Sequence, residues 1–255
     1  MLELPARLPV VDNPLTCVRQ LIFESDWEEY PYGMHGTGFI AECTEMLFLV
    51  TAAHCINEGQ EDWLRVPIRA GTPRVMTFKK YMTFETPGEE TRDLDVAALS
   101  IEPSDSAEFY DLRRFAAPIP RTFSFESILA EVRDKNLDLD SIVLRAVGFP
   151  RNARESRIDV AESRIVSQPM EILFRYSRPS AVTNRHLGVL VSPPPAELDG
   201  MSGSPVFLRA TRPDEMPQQY VFVGMLVRAS RTHVEFVSGE LLRSALQHAA
   251  RALRP

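Results

Sequence analysis

The chain has 255 residues, of which 44% are hydrophobic and 25% charged, and a formal net charge of −7. Such a length and apolar content suit one large all-β domain or two small ones with a sizeable core, and the ordinary charged fraction excludes wholesale disorder. The negative balance argues against nonspecific nucleic-acid binding and no apolar run reaches the length of a membrane span, so neither nucleic acid nor membrane is expected as a partner.

The N-terminus, Met1-Leu-Glu-Leu-Pro-Ala-Arg7, lacks a basic segment followed by an apolar one and does not read as a signal peptide, so a cytoplasmic location is expected. Cys17, Cys43 and Cys55 are odd in number and lack metal-ligand spacing; they read as reduced, unpaired thiols. Residues 1–15, with Pro5, Pro9 and Pro14, read as an extended arm. Short β-like runs follow at Thr16–Phe23, Thr37–Cys43, Met46–Thr51, Trp63–Ile68, Val75–Phe84 and Val96–Ile101, with a tight turn at Thr44-Glu45. Six short strands at this spacing suggest a sandwich or small barrel. The stretch from Glu102 to Asp140 changes character and reads as a connector, with a helix over Phe125–Val132 that Ser124 caps. Strand patterns resume at Ile142–Phe149, Ile158–Ser167, Glu171–Tyr176, His186–Val191, Ser204–Leu208, Tyr220–Val227 and Thr232–Val237. Gly239–Leu253 carries Leu241, Leu242, Ala245, Leu246, Ala249, Ala250 and Leu253, the spacing of one face of an amphipathic helix packed on the body.

Three stretches carry chemistry together. Leu198-Asp-Gly-Met-Ser-Gly-Ser-Pro205 is a Gly-bracketed turn that presents the Ser202 hydroxyl and can aim the Gly200 and Ser202 amides at one point. Phe48-Leu-Val-Thr-Ala-Ala-His-Cys55 is an apolar strand running into His54, and Asp93-Leu-Asp-Val-Ala-Ala-Leu99 sets an acid before another apolar strand. A serine hydroxyl needs a base to take its proton, and the imidazole base needs a carboxylate to fix its tautomer. Asp95 fits the acid's role best because the apolar run starts right after it; Asp93, two residues earlier on the same strand face, is its rival. His35, His186, His233 and His248 have no motif around them, and His35 and His186 read as loop or strand-edge residues.

These motifs resemble the chymotrypsin-fold (trypsin-like) serine peptidases, in the style of bacterial trypsin-like and HtrA-like protease domains without a PDZ domain. His, Asp and Ser stand in that family's chain order. Thr51-Ala-Ala-His54, Asp95-Val-Ala-Ala-Leu99 and Gly200-Met-Ser-Gly-Ser-Pro205 match its three motifs, the last with Ser204 in place of a Gly. Gly36-Thr-Gly-Phe-Ile40, Val147-Gly-Phe-Pro150 and Gly224-Met-Leu-Val-Arg-Ala229 resemble further elements, so the likeness spans about residues 16–253.

The resemblance implies an all-β fold of two six-stranded antiparallel barrels and a C-terminal helix. Residues 16–115 would form the first barrel with His54 and Asp95, 116–140 the connector, 141–238 the second barrel with Ser202, and 239–255 the helix. It further implies a serine endopeptidase with His54, Asp95 and Ser202 as its triad, Gly200 and Ser202 as its oxyanion hole, and no metal or cofactor. A protein or peptide substrate would pair with Val227, Arg228 and Ala229 as an added strand. Its specificity pocket would lie between Ala196–Asp199 and Val227–Ala229 and suit small or medium apolar side chains.

Departures qualify this picture. Met201 stands where the family's animal members carry the Asp that pairs with a newly cleaved N-terminus, so activation by such cleavage is not expected. Val227 stands where a Ser often braces the catalytic acid, so support for Asp95 falls to backbone amides near Ala52–His54. An isolated protease domain also invites control by a regulatory partner. The alternative is a catalytically silent module of the same fold that binds a peptide or partner.

Overall fold

The computed structural model describes residues 10–26, 32–56, 59–68, 74–84, 94–121, 124–136, 142–151, 157–159, 164–166, 168–182, 184–194, 197–210 and 219–254. Its first half is a curled sheet of β1 (Val18–Glu24), β2 (Tyr32–Cys43), β3 (Met46–Ala52), β4 (Leu64–Arg65), β5 (Phe78–Thr83), β6 (Val96–Ile101) and β7 (Ala117–Pro118). The strands lie in the order β4-β1-β2-β3-β6-β5, with β7 running parallel to β2. The β2–β3 hairpin closes through Thr44 and Glu45, both at positive φ (50° and 66°). A two-residue turn of that hand matches the twist of the flanking strands, and it sets the register Cys43↔Met46 through Gly38↔Thr51.

The first half was expected to close as a six-stranded barrel. Among the described residues it is a curled half-barrel sheet, whose edge strands β4 and β5 share no ladder. Among the described residues, the chain after β4 and the chain before β5 are joined by the bridge Pro67↔Val75 and the bonds Met76 N to Val66 O (2.8 Å) and Ile68 N to Arg74 O (3.0 Å). Pro67 has no N–H to give a ladder, which keeps β4 to two residues.

The connector holds two helices, α1 (Ser106–Arg114) and α2 (Phe125–Asp134). The first was not expected, because its polar sequence buries only Glu108 and Leu112; Asp105 caps it by accepting from Glu108 N at 2.8 Å. The second starts where expected, with a reciprocal cap between Ser124 and Ser127.

The second half is a closed barrel of β8 (Val143–Gly148), β11 (Met170–Pro179), β12 (Arg185–Leu190), β13 (Pro205–Ala210), β14 (Gln219–Ala229) and β15 (His233–Ser238). The run expected as one strand over Ile158–Ser167 is two short strands, β9 (Arg157–Asp159) and β10 (Arg164–Val166), paired with each other outside the barrel. Helix α3 (Gly239–Leu253) ends the fold and buries Leu242, Ala245, Leu246, Ala249 and Ala250, the face its spacing marked.

Two cores result. Phe125, Ile128, Leu129 and Val132 of α2 pack with Phe174, Tyr176 and Phe236 to fill the barrel. The other core runs from β2 and β3 across to the outer side of the barrel and to α3, with Phe39 and Phe222 rings 5.4 Å apart. That shared core explains why every residue of β3 after Met46 and every residue of β6 is buried. Each fully buried aromatic or aliphatic side chain there stabilises the joined halves by roughly 1.5–3 kcal/mol. The mostly-β architecture, with one closed barrel, one curled sheet and a terminal helix, is compatible with a chymotrypsin-like double barrel.

Candidate active site

Strand register assembles the histidine half. In the β3–β6 ladder Ala52 faces Val96, so the residue just before β6 lies beside the residues just after β3. The chain leaves β3 in a single 3-10 turn, Ala53–Cys55, whose Ala53 N donates to Asp95 O at 3.1 Å. The His54 amide then donates to Asp95 Oδ1 (3.1 Å), and His54 Nδ1 lies 2.7 Å from Asp95 Oδ2. Asp95 adopts φ 48°, a left-handed conformation that Asp tolerates better than most residues, and it turns the carboxylate back toward the imidazole. Its rival, Asp93, lies outside the described residues. The bond to Asp95 raises the His54 pKa from 6.5 to about 10, with Cys55 adding to the rise and burial opposing it. Half of the imidazole is exposed, while the carboxylate is nearly covered.

The serine half is a turn clamped from two sides. Gly200 and Gly203 take φ +91° and +87°. A Cβ on Gly203 would lie 1.9 Å from Thr37 O, so only Gly lets the turn approach β2 this closely. Thr37 N donates to Ser202 O (3.2 Å), and Gly203 N donates to Leu226 O (2.8 Å) on β14. Within the turn, Met201 N bonds Leu198 O (3.0 Å) and Ser204 N bonds Met201 O (3.1 Å). Met201 is fully buried in the barrel core, an apolar anchor where the resemblance has an acid. Ser204 is buried too, and its hydroxyl has no partner among the described residues.

The peptide between Asp199 and Gly200 has its carbonyl held by Arg151, whose N donates to Asp199 O at 2.7 Å. In a trans peptide the C=O and N–H point to opposite sides, so this bond turns the Gly200 N–H away from Arg151. Among the described residues neither the Gly200 N–H nor the Ser202 N–H has a protein partner. Two free amides beside a serine hydroxyl are what a site for an anionic oxygen requires.

A cleft of about 610 Å³ joins the halves, lined by His54 and Asp95 on one side and by Asp199, Ser202 and Val227–Ala229 on the other. The residues singled out for triad, turn and substrate strand thus share one neighbourhood; Ala196 lies outside the described residues. Thr83 and Phe84, just past β5, and Leu198 also line the cleft, a contribution the motifs did not signal. His186, expected at a strand edge, is instead buried among Phe125, Tyr176 and Phe236, and burial lowers its pKa. His35 is an exposed residue of β2 that has no counterpart across the shifted register with β1. Cys17, Cys43 and Cys55 are free thiols.

One contact differs from a poised nucleophile. The Ser202 hydroxyl donates to Val227 O at 3.1 Å, and no hydrogen bond joins it to His54. Val227 sits at a register shift between Leu226↔Phe236 and Arg228↔Glu235, so it has no counterpart on β15.

No protein-family model matches the chain, and no curated protein matches it. Among the described residues no three metal-ligating side chains converge, and no helix is long and apolar enough to cross a membrane.

Proposed function

We propose that the protein is a serine endopeptidase, a hydrolase of peptide bonds. The observation that carries this reading is the meeting, in one cleft, of an Asp95-bound His54 and Ser202, in a turn whose Gly200 and Ser202 amides are unpartnered among the described residues. In the proposed reaction Ser202 Oγ attacks the peptide carbonyl while His54 Nε2 takes its proton, and the Gly200 and Ser202 amides receive the oxyanion. His54 then gives the proton to the leaving amine, and water repeats the sequence on the acyl-enzyme. Asp95 holds the imidazole's orientation and stabilises its protonated form. The substrate lies as an extended strand along Val227–Ala229. The buried Met201 favours a turn that needs no new N-terminus to form.

The test is labelling of Ser202 by a fluorophosphonate, together with turnover of a peptide library. We expect wild-type protein to be labelled at Ser202 and to cleave. Ser202→Ala should lose turnover by about 10⁶-fold while keeping its melting temperature.

A second reading, a silent module of the same fold, is favoured by the Ser202–Val227 bond, which holds the hydroxyl away from the base. It predicts no labelling, but retained binding of an extended peptide along Val227–Ala229.

A further inference from the structure

Gly200 adopts φ +91° and has no side chain through which packing could fix its flanking peptides. Whether its N–H stays free for an oxyanion therefore depends on what grips the carbonyls on either side. Arg151 N holds the one before it, at Asp199. The Thr37 hydroxyl holds the one after it, donating to Gly200 O at 2.8 Å across 163 residues of sequence. The same hydroxyl accepts from Phe149 N at 2.7 Å, two residues before Arg151. One oxygen thus ties the turn and the loop that supplies its other clamp.

Thr37 is itself immobilised. Its amide donates to Ser202 O, and its carbonyl accepts from Thr51 Oγ1 at 2.7 Å. Both threonines are fully buried, so bulk water cannot replace a lost partner. Thr37 stands on β2, in the sheet that carries His54, whereas Gly200 belongs to the barrel half. The bond therefore also registers one half of the cleft against the other.

We propose that Thr37 is a positioning residue, whose hydroxyl fixes the Asp199–Met201 peptides in the arrangement that leaves the Gly200 amide open to an oxyanion. The catalytic consequence rests on the serine-hydrolase reading above; the conformational one does not. Valine in its place keeps the shape and leaves Gly200 O and Phe149 N unpaired, whereas serine keeps the hydroxyl. Thr51→Val removes a neighbouring buried hydrogen bond without touching Gly200.

The experiment compares wild type, Thr37→Val, Thr37→Ser and Thr51→Val by fluorophosphonate acylation rate, kcat and KM. Amide hydrogen exchange at Met201, Gly203 and Ser204 is measured alongside, at a temperature where all four are folded. Thr37→Val should acylate about 10²–10³-fold more slowly and lose kcat by the same factor, the effect of losing one oxyanion donor, with KM within about threefold. Thr37→Ser should stay within about threefold of wild type in every readout, and Thr51→Val should lose less than about tenfold in rate. Exchange at the three amides should rise at least about tenfold in Thr37→Val and not in Thr37→Ser. The proposal is overturned if Thr37→Val leaves turn exchange unchanged, if Thr37→Ser falls as far as Thr37→Val, or if Thr51→Val matches Thr37→Val in rate. A wild-type protein that resists labelling, while Thr37→Val still loosens the turn, would overturn the hydrolase reading and leave the positioning role standing.

Discussion

The two halves of the cleft are finished to different degrees, in the reverse order of the frameworks that carry them. His54 and Asp95 stand on a curled half-barrel sheet whose edge strands share no ladder, yet their mutual contacts are complete. Ser202 stands on a closed barrel, in a turn bonded to both β2 and β14, yet its hydroxyl faces Val227 O and not the base. Closure of the framework and readiness of the side chain are therefore separate properties. His54 is placed by a ladder register and two hydrogen bonds to one carboxylate, one of them from its ring. Ser202 has a fixed main chain but one free torsion, and exchanging one hydroxyl acceptor for another involves a net difference of only about 1 kcal/mol.

The largest way to break this contrast is to spoil the finished half. Asp95→Asn replaces the oxygen facing His54 Nδ1 or sets an N–H against it, so the imidazole loses the tautomer that accepts the serine proton. We expect kcat to fall about 10⁴-fold, with the fold and KM nearly preserved. Peptidase kinetics on the purified variant decide it. Wild-type turnover would mean that His54 works without this carboxylate, and that Asp93 or no acid at all fills the role.

The next effect is the pH dependence of the same pair. With its pKa raised to about 10 by Asp95, His54 in the free protein is an imidazolium at neutral pH, and only the neutral ring accepts a proton. In wild type kcat/KM should climb about tenfold per pH unit from neutrality and bend near the raised value, a total of about 10³-fold. In Asp95→Asn the bend should move down toward 6.5. A wild-type bend already near 6.5 would show that the pair does not hold the proton in solution. The sign for stability is opposite. A pKa raised on folding adds stability that is complete below the unfolded value of 6.5 and is lost as pH rises through about 10. Because the ring is half exposed, melting temperature should decline only slightly over that window.

Much of this arrangement was legible in the residues. The β6 run over Val96–Ile101 and the α3 face over Gly239–Leu253 stand where their patterns put them, since unbroken apolar runs and 3.6-residue spacing record burial directly. His54, Asp95 and Ser202 were visible because each ends or precedes such a run. The missing ladder between β4 and β5 was not, because pairing between edges distant in sequence leaves no local pattern. Helix α1 escaped because it buries so little that no stripe forms. Thr37 sat inside a recognisable Gly-Thr-Gly stretch, but its partners Gly200 and Phe149 are 163 and 112 residues away, and no local pattern encodes them. The Ser202–Val227 bond depends on a side-chain rotamer, to which sequence spacing is blind.

That rotamer choice yields the smallest and most discriminating test of the contrast. In the proposed binding mode, a substrate strand on Val227–Ala229 would bring an amide N–H of its own to the Val227 carbonyl, the group that accepts from the Ser202 hydroxyl in the free protein. In the proposed reaction, an N–H that competes for this oxygen frees the hydroxyl for His54 Nε2, and the substrate itself completes the unfinished half. A peptide substrate methylated on the nitrogen of the residue preceding the scissile bond keeps its bulk but cannot displace the hydroxyl. Its kcat should fall about tenfold, the scale of one hydrogen bond of 1–1.5 kcal/mol, compared at saturating substrate with the parent peptide. In Thr37→Ser, whose turn is still clamped, the same ratio should hold. If methylation instead raises KM and leaves kcat untouched, the Val227 carbonyl only binds the strand, and the hydroxyl reaches the base without help from the substrate.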